Sequence, residues 1–186
     1  MVNYGKSING HGASITGDVI IDNDKITLNN LTITGNLIIT DIVLEQTTIN
    51  DVNVYGNTNV GVSLQTKVTT LDVPTFNIGM TFTVINASLS TLHTFKEVNL
   101  SIENVSVDTI QTNSSLNIVS NKTTNSIKNL FVTSPVKNIT VGENVVIDMV
   151  VANSTVPLSI NGRGSINQIT ILSKSNLELG VSKINL

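Results

Sequence analysis

The sequence predicts an all-β fold: a parallel β-helix, or β-solenoid, with about nine coils of about 20 residues each. The first observation behind this prediction is an internal repeat, since ITGDVII at Ile15–Ile21 returns as ITGNLII at Ile33–Ile39. The second is an apolar-polar-polar-apolar unit that recurs along the chain, and the third is a composition suited to strands. Repeats that cannot bury an apolar face alone stack on their neighbours, as the coils of a solenoid do.

The recurring unit places two apolar residues around two mostly polar ones, as a corner between two short strands requires. The second apolar residues of successive units are 18 to 21 residues apart, which sets the length of one coil. Because the apolar residues point inwards in this interpretation, they form the predicted structural core: Leu28, Leu31, Ile49, Val52, Val68, Leu71, Leu89, Leu92, Val107, Ile110, Ile127, Leu130, Ile147, Val150, Ile166 and Ile169.

A second corner is predicted four residues after each unit, where Gly17, Gly35 and Gly56 begin a series of mostly small or hydroxylic residues. The middle of the chain departs from this register. Phe76 to Val84 alternate apolar and polar residues one position out of step, which predicts a longer strand or a bulge there.

Composition supports strands. Of the 186 residues, 40% are hydrophobic but only 3% are aromatic and 12% are charged, so the apolar side is built from Val, Ile and Leu. β-Branched side chains fit a pleated, half-buried surface. No linker divides the chain, so residues 13–186 are predicted to form a single β-solenoid domain, with 1–12 as a lead-in or a partial first coil. The variable coil length favours the right-handed form, because left-handed β-helices repeat strictly in hexapeptides.

Charge and residue usage exclude several functions. The net charge is −3 and no basic run exists, which argues against nucleic acid as a partner. No apolar stretch reaches the roughly 18 residues of a membrane-spanning helix. The absence of cysteine excludes disulfides and thiolate metal sites.

Candidate sites are sparse, and no catalytic or cofactor-binding residue is predicted. His11 and His93 lie about four coils apart, too far for one His-based site. Asp18, Asp22 and Asp24 are weak calcium candidates, because calcium takes six to eight oxygen ligands. The acidic-glycine periodicity of calcium-binding β-roll repeats is missing, so a solvated turn is the favoured interpretation.

An enzyme is not expected either. The 13 acidic residues are scattered, and two tyrosines and no tryptophan are available to stack on sugar rings.

The opening coils, TGDVIIDNDKITLNNLTITGNLIIT at 16–40, resemble repeats in large surface proteins of spore-forming, Gram-positive bacteria. VKNITVG at 136–142 and LSINGRGSINQI at 158–169 resemble the continuing coils of those proteins, which often carry surface-layer-homology anchors elsewhere. The resemblance implies a secreted, wall-associated β-solenoid. A weaker resemblance is to bactofilins, cytoplasmic β-helices that polymerise end to end.

Three functions follow as hypotheses. The first is a non-enzymatic structural or display module of a bacterial cell surface, acting as a stiff rod. The second is a polysaccharide-binding or polysaccharide-cleaving β-helix, and the third a bactofilin-like, self-polymerising filament subunit. The expected partners are adjoining coils, a neighbouring domain or further copies at the solenoid ends, and cell-wall glycan. The location is extracellular for the first hypothesis and cytoplasmic for the third.

Overall fold

The computed structural model of the chain describes residues 5–63, 79–120, 122–133, 135–136, 138–173, 176–181 and 183–184. All regular secondary structure in these residues is β-strand, and the 17 strands form one sheet. The sheet is wound into a solenoid of about eight turns, roughly 20 residues apart. The predicted all-β, parallel solenoid with about 20 residues per coil is therefore confirmed, while its handedness stays a prediction.

The first eight strands are β1 (Lys6–Ile15), β2 (Val19–Ile21), β3 (Ile26–Ile33), β4 (Leu37–Thr40), β5 (Gln46–Val62), β6 (Met80–Ile85), β7 (Ser88–Thr94) and β8 (Val98–Glu103). The remaining strands are β9 (Ser106–Thr112), β10 (Leu116–Val119), β11 (Asn125–Thr133), β12 (Asn138–Val141), β13 (Val145–Asn153), β14 (Leu158–Gly162), β15 (Ser165–Ile171), β16 (Leu177–Gly180) and β17 (Lys183–Ile184).

Strands on the same side of successive coils pair in parallel. On one side the order is β7, β9, β11, β13, β15 and β17, and on another it is β6, β8, β10, β12, β14 and β16. The long strand β5 turns a corner and contacts both series, since it pairs with β6 and with β7. β5 therefore joins the first coils of the solenoid to the later ones.

The core fills the inside of the coils. Strand side chains alternate inwards and outwards, so an aliphatic residue at every second position lines the interior. Met80, Phe82 and Val84 follow this pattern in β6 and are buried, while Phe76 and Ile78 of the same predicted alternation lie outside the described residues.

Most residues of the predicted core lie in this interior. The structure buries these of them: Leu28, Leu31, Ile49, Val52, Leu89, Leu92, Val107, Ile110, Ile127, Leu130, Ile147, Val150 and Ile166. Ile169 is partly buried and packs against the same cluster. Val68 and Leu71 lie outside the described residues.

The predicted register is wrong in the middle of the chain. The sequence pattern treats all apolar units as one column of corners, but the structure places them at two different corners of the coil. The unit of Leu28 stacks on the unit of Ile49, and Ile49 then pairs with Val84. Leu89, in contrast, pairs with Val54. In the described sheet β5 pairs directly with β6 and with β7, so the units of Ile49 and Leu89 belong to neighbouring coils.

Candidate functional site

The first coils share a three-residue corner whose middle residue is glycine. Gly35 N–H donates to Gly17 O at 3.2 Å, and Gly56 N–H donates to Gly35 O at 3.1 Å. A Cβ atom on Gly35 would lie 2.5 Å from the carbonyl carbon of Gly17. Only glycine permits this close stacking of backbone on backbone.

An Asx residue follows each of these glycines and links the same corners. Asp18 Oδ1 accepts hydrogen bonds from the backbone N–H of Asn36 at 2.7 Å and from its Nδ2 at 3.0 Å. Asn36 Oδ1 in turn accepts from the Asn57 N–H at 2.9 Å. These glycines and Asx residues together are called the Gly-Asx ladder below. The Asp18 carboxylate is therefore part of the scaffold.

The other two calcium candidates also hold neighbouring groups of the chain. Asp24 Oδ1 accepts from the N–H groups of Leu44 and Glu45 at 2.7 and 2.8 Å, and Asp22 Oδ1 accepts from Asn23 Nδ2 at 2.6 Å. Within the described ranges, no group of three or more His, Asp and Glu side chains is arranged to hold a metal ion. The structure does not bring Asp18, Asp22 and Asp24 together as a calcium site.

The two histidines lie in different strands, His11 in β1 and His93 in β7. His11 is exposed, and its backbone N–H donates to Asn9 Oδ1 at 2.8 Å. The His93 ring lies 6.1 Å from the Phe95 ring, and partial burial lowers the pKa of His93. The structure therefore places the two histidines three coil steps apart, since β1, β3, β5 and β7 stack in that order.

The corner changes length where β5 meets β7. Val54 pairs with Leu89 and Asn57 pairs with Thr91, so Tyr55 and Gly56 together face the single residue Ser90. Two residues opposite one is a β-bulge, a feature that bends the strand and redirects its side chains. Later coils keep the shorter, two-residue corner, because Val107 stacks on Leu89 and Thr109 on Thr91.

The bulge opens a hollow of about 470 Å³ on the outside of the solenoid, which we call the Tyr55 groove. Its lining consists of Asn53, Val54, Tyr55, Ser88, Ser90 and Asp108. Tyr55 is 71% exposed, and Asp108 is exposed two coils further along the axis. A second hollow of about 380 Å³ adjoins it and shares Asn53 and Ser88.

The sequence reasoning missed this groove. A signal is present in the repeat, because Tyr55 occupies the position of Thr16 and Thr34, one residue before the corner glycine. The other two residues at this outward position are small and polar. A large aromatic residue there indicates a surface that contacts a ligand.

No protein-family model, curated protein or solved structure matches the chain. A helix long and apolar enough to cross a membrane is also absent from the described part of the chain. The geometry of the solenoid and of its grooves is therefore the basis for a functional proposal.

Proposed function

We propose that the chain is a non-enzymatic structural or display module of a bacterial cell-surface or wall-associated protein, in which it acts as a stiff rod. One observation carries the proposal: a continuous ladder of parallel strand pairs runs from Lys6 in β1 to Ile184 in β17. Backbone hydrogen bonds in this arrangement point along the solenoid axis. Bending or stretching the rod would have to break many of them at once.

Side-chain ladders along the same axis support the proposal. Asn104 Nδ2 donates to Asn86 Oδ1 at 2.9 Å, and Asn117 Nδ2 donates to Asn99 Oδ1 at 3.2 Å. The Gly-Asx ladder serves the same purpose in the first coils. About eight coils at about 4.8 Å each give a rod of about 40 Å, a length suited to spacing or displaying a neighbouring part of a protein.

The ends of the described stack supply the proposed contacts with partners. Among the described strands, β1 pairs with β3 and β2 with β4, each on one side only, and β16 and β17 likewise pair only with β14 and β15. Ile8 in β1 is 41% exposed and Leu179 in β16 is 40% exposed. Open strand edges accept further strands, so we propose that adjoining coils, a neighbouring domain or further copies pair there. The same edges favour a filament subunit of the bactofilin type as the second candidate function.

The cellular location of the protein distinguishes the surface rod from the filament subunit. Antibodies raised against the purified chain should label intact cells of the source bacterium if the rod belongs to the cell surface. Labelling that requires permeabilised cells would contradict the surface role and favour the filament.

Stiffness can be measured independently. Because the chain has no cysteine, Ser7→Cys and Glu178→Cys can carry spin labels at unique positions in β1 and β16. Double electron–electron resonance should give one narrow distance distribution near the rod length of about 40 Å. A broad distribution would contradict a stiff rod.

Association through the ends is tested by Leu179→Lys, which places a charge on the open edge. Sedimentation at rising concentration should show association of the original chain and its suppression by this variant. Ile42→Lys is the control, because Ile42 is also exposed, at 57%, but lies in the loop between β4 and β5. Equal behaviour of both variants would argue against contact between copies at this end.

A further inference from the structure

We propose that the Tyr55 groove binds neutral sugar units of a polysaccharide, with one sugar ring stacked on Tyr55 and its hydroxyl groups bonded by Asp108 and Asn53. This inference adds a ligand site to the rod and does not depend on the rod's location. The ligand class is a neutral hexose or N-acetylhexosamine chain.

The shape of the groove fits a flat ring. Tyr55 faces Ser90 in the next coil, and Asp108 lies one coil beyond Ser90. Two coil spacings of about 4.8 Å separate the backbones of Tyr55 and Asp108 by about 10 Å. The small Ser88 and Ser90 form the floor between them. A ring can therefore enter with Tyr55 on one side and Asp108 on the other.

The ring of Tyr55 is accessible to a ligand. The side chain lies on the outside of the corner, like those of Thr16 and Thr34, while the Gly56 N–H donates to Gly35 O at 3.1 Å and holds the backbone next to it. At 71%, Tyr55 is the most exposed of the large hydrophobic residues in the described chain. A tyrosine with an apolar ring and a polar tip is suited to a ligand that has C–H groups on its faces and hydroxyls at its edge.

The polar lining matches hydroxyl groups. The Asp108 carboxylate can accept hydrogen bonds from two neighbouring hydroxyls, and the Asn53 amide can both donate and accept. Within the described residues, Asp108 makes no ion pair, so its oxygens are open to a ligand. The described lining of the groove includes one carboxylate and no cationic side chain, and Lys128 lies at the corner one coil beyond Asp108. Because the carboxylate is inside the groove and the ammonium group is outside it, the lining favours neutral sugar units over uronates.

The adjoining hollow indicates a chain of sugars instead of a single one. It continues from Asn53 and Ser88 and is lined further by Asn86, Ala87, Asn104, Val105, Ser106 and Thr124. Amide and hydroxyl groups again dominate. Both hollows fall within the volume range of about 300–1,000 Å³ that is usual for ligand pockets.

The groove is suited to binding without cleavage. Glycoside hydrolysis ordinarily needs two carboxyl groups on either side of the scissile bond. Among the described residues that line the two hollows, Asp108 is the only carboxylate. The inference is thus compatible with a non-enzymatic rod.

The test uses cellohexaose, mannohexaose and chitohexaose as neutral probes and trigalacturonate as the acidic probe. Calorimetry and ligand-observed NMR should detect binding of at least one neutral probe and weaker or no binding of trigalacturonate. Tyr55→Ala should weaken that binding by at least about tenfold, whereas Tyr55→Phe, which keeps the ring, should change it by less than about threefold. Asp108→Asn should weaken it by about three- to tenfold, because a charge-assisted hydrogen bond becomes a neutral one.

Two control variants lie outside the groove. Phe95→Ala removes another exposed aromatic ring, and Asp148→Asn removes a carboxylate in the same row of corners as Asp108. Both should bind like the original chain, and circular dichroism should show that every variant folds. The proposal is overturned if no neutral probe binds at millimolar concentration. It is also overturned if Tyr55→Ala binds normally, if Phe95→Ala loses binding equally, or if trigalacturonate binds as tightly. None of these outcomes alters the measured length or stiffness of the rod.

Discussion

Two kinds of corner occur on the same side of the solenoid, one in the first coils and one in the later coils. In the first coils the corner has three residues, ending in Gly17-Asp18, Gly35-Asn36 and Gly56-Asn57. From β7 onwards it has two, and the pairs differ widely: Ser90-Thr91, Asp108-Thr109, Lys128-Asn129, Asp148-Met149 and Asn167-Gln168. The longer corner stacks backbone on backbone and therefore demands glycine. The shorter corner restricts only the apolar residues that flank it, which point inwards.

The largest expected effect contrasts the inward and outward positions of one short corner. Leu130 is fully buried, and Lys128 is exposed. Leu130→Asp should lower the free energy of unfolding by more than about 4 kcal/mol, because it buries a charge without a partner. Lys128→Ser should change it by no more than about 0.5 kcal/mol. Similar urea denaturation midpoints for the two variants would contradict the inward assignment of Leu130.

The glycine ladder predicts a graded series at the long corner. Gly35→Ala should destabilise by about 1–3 kcal/mol, because its Cβ would lie 2.5 Å from Gly17 backbone atoms. Gly17→Ala meets no atom within 4 Å, but its φ of +106° strains an alanine, so we expect a cost of about 1 kcal/mol. Ser90→Ala, at the short corner, should be close to neutral. Thermal unfolding ranks the three variants, and a tolerated Gly35→Ala would refute direct backbone stacking.

The Asx residues of the ladder should contribute less to the free energy of unfolding than the glycines do. Asn36 donates to Asp18 and accepts from the N–H of Asn57. Asn36→Ala should cost about 1–2 kcal/mol, since each net hydrogen bond contributes about 1 kcal/mol. Asn57→Ala keeps its N–H bond to Asn36 and should cost clearly less. Chemical denaturation of both variants tests the ladder, which predicts a larger loss of stability for Asn36→Ala than for Asn57→Ala.

The smallest expected effect concerns acid stability on the side that carries the shorter corner. Burial lowers the pKa of His93 below its usual value of about 6.5, so the unfolded chain binds its proton more readily than the folded chain. Stability should therefore fall as the pH drops through about 6.5 towards the folded pKa. His93→Gln, which introduces the residue type that Gln111 supplies in the next coil, should reduce this loss. An acid loss of the same size in His93→Gln and in the original chain would count against burial of His93 as the cause.

The sequence alone determined the fold class, the coil length and most of the inward residues. Each of these depends on local patterns: the alternation of Met80, Phe82 and Val84, the apolar pairs at corners, and the repeated glycine turns. Such patterns follow from the geometry of a strand, so a stretch of a few residues is enough to recognise them.

Tertiary structure decided which corner stacks on which. The apolar-polar-polar-apolar form occurs at one corner in the first coils and at the other corner in the later coils, so the pattern of Leu28 and Leu31 and that of Leu89 and Leu92 look identical in the sequence. Only the long-range pairing of β5 with β6 and β7 separates them. That pairing also creates the bulge at Tyr55, and with it the groove, because a three-residue corner must meet a two-residue corner at that coil. Strand pairing joins residues some 35 positions apart, as between Ile49 and Val84, and no local pattern specifies it.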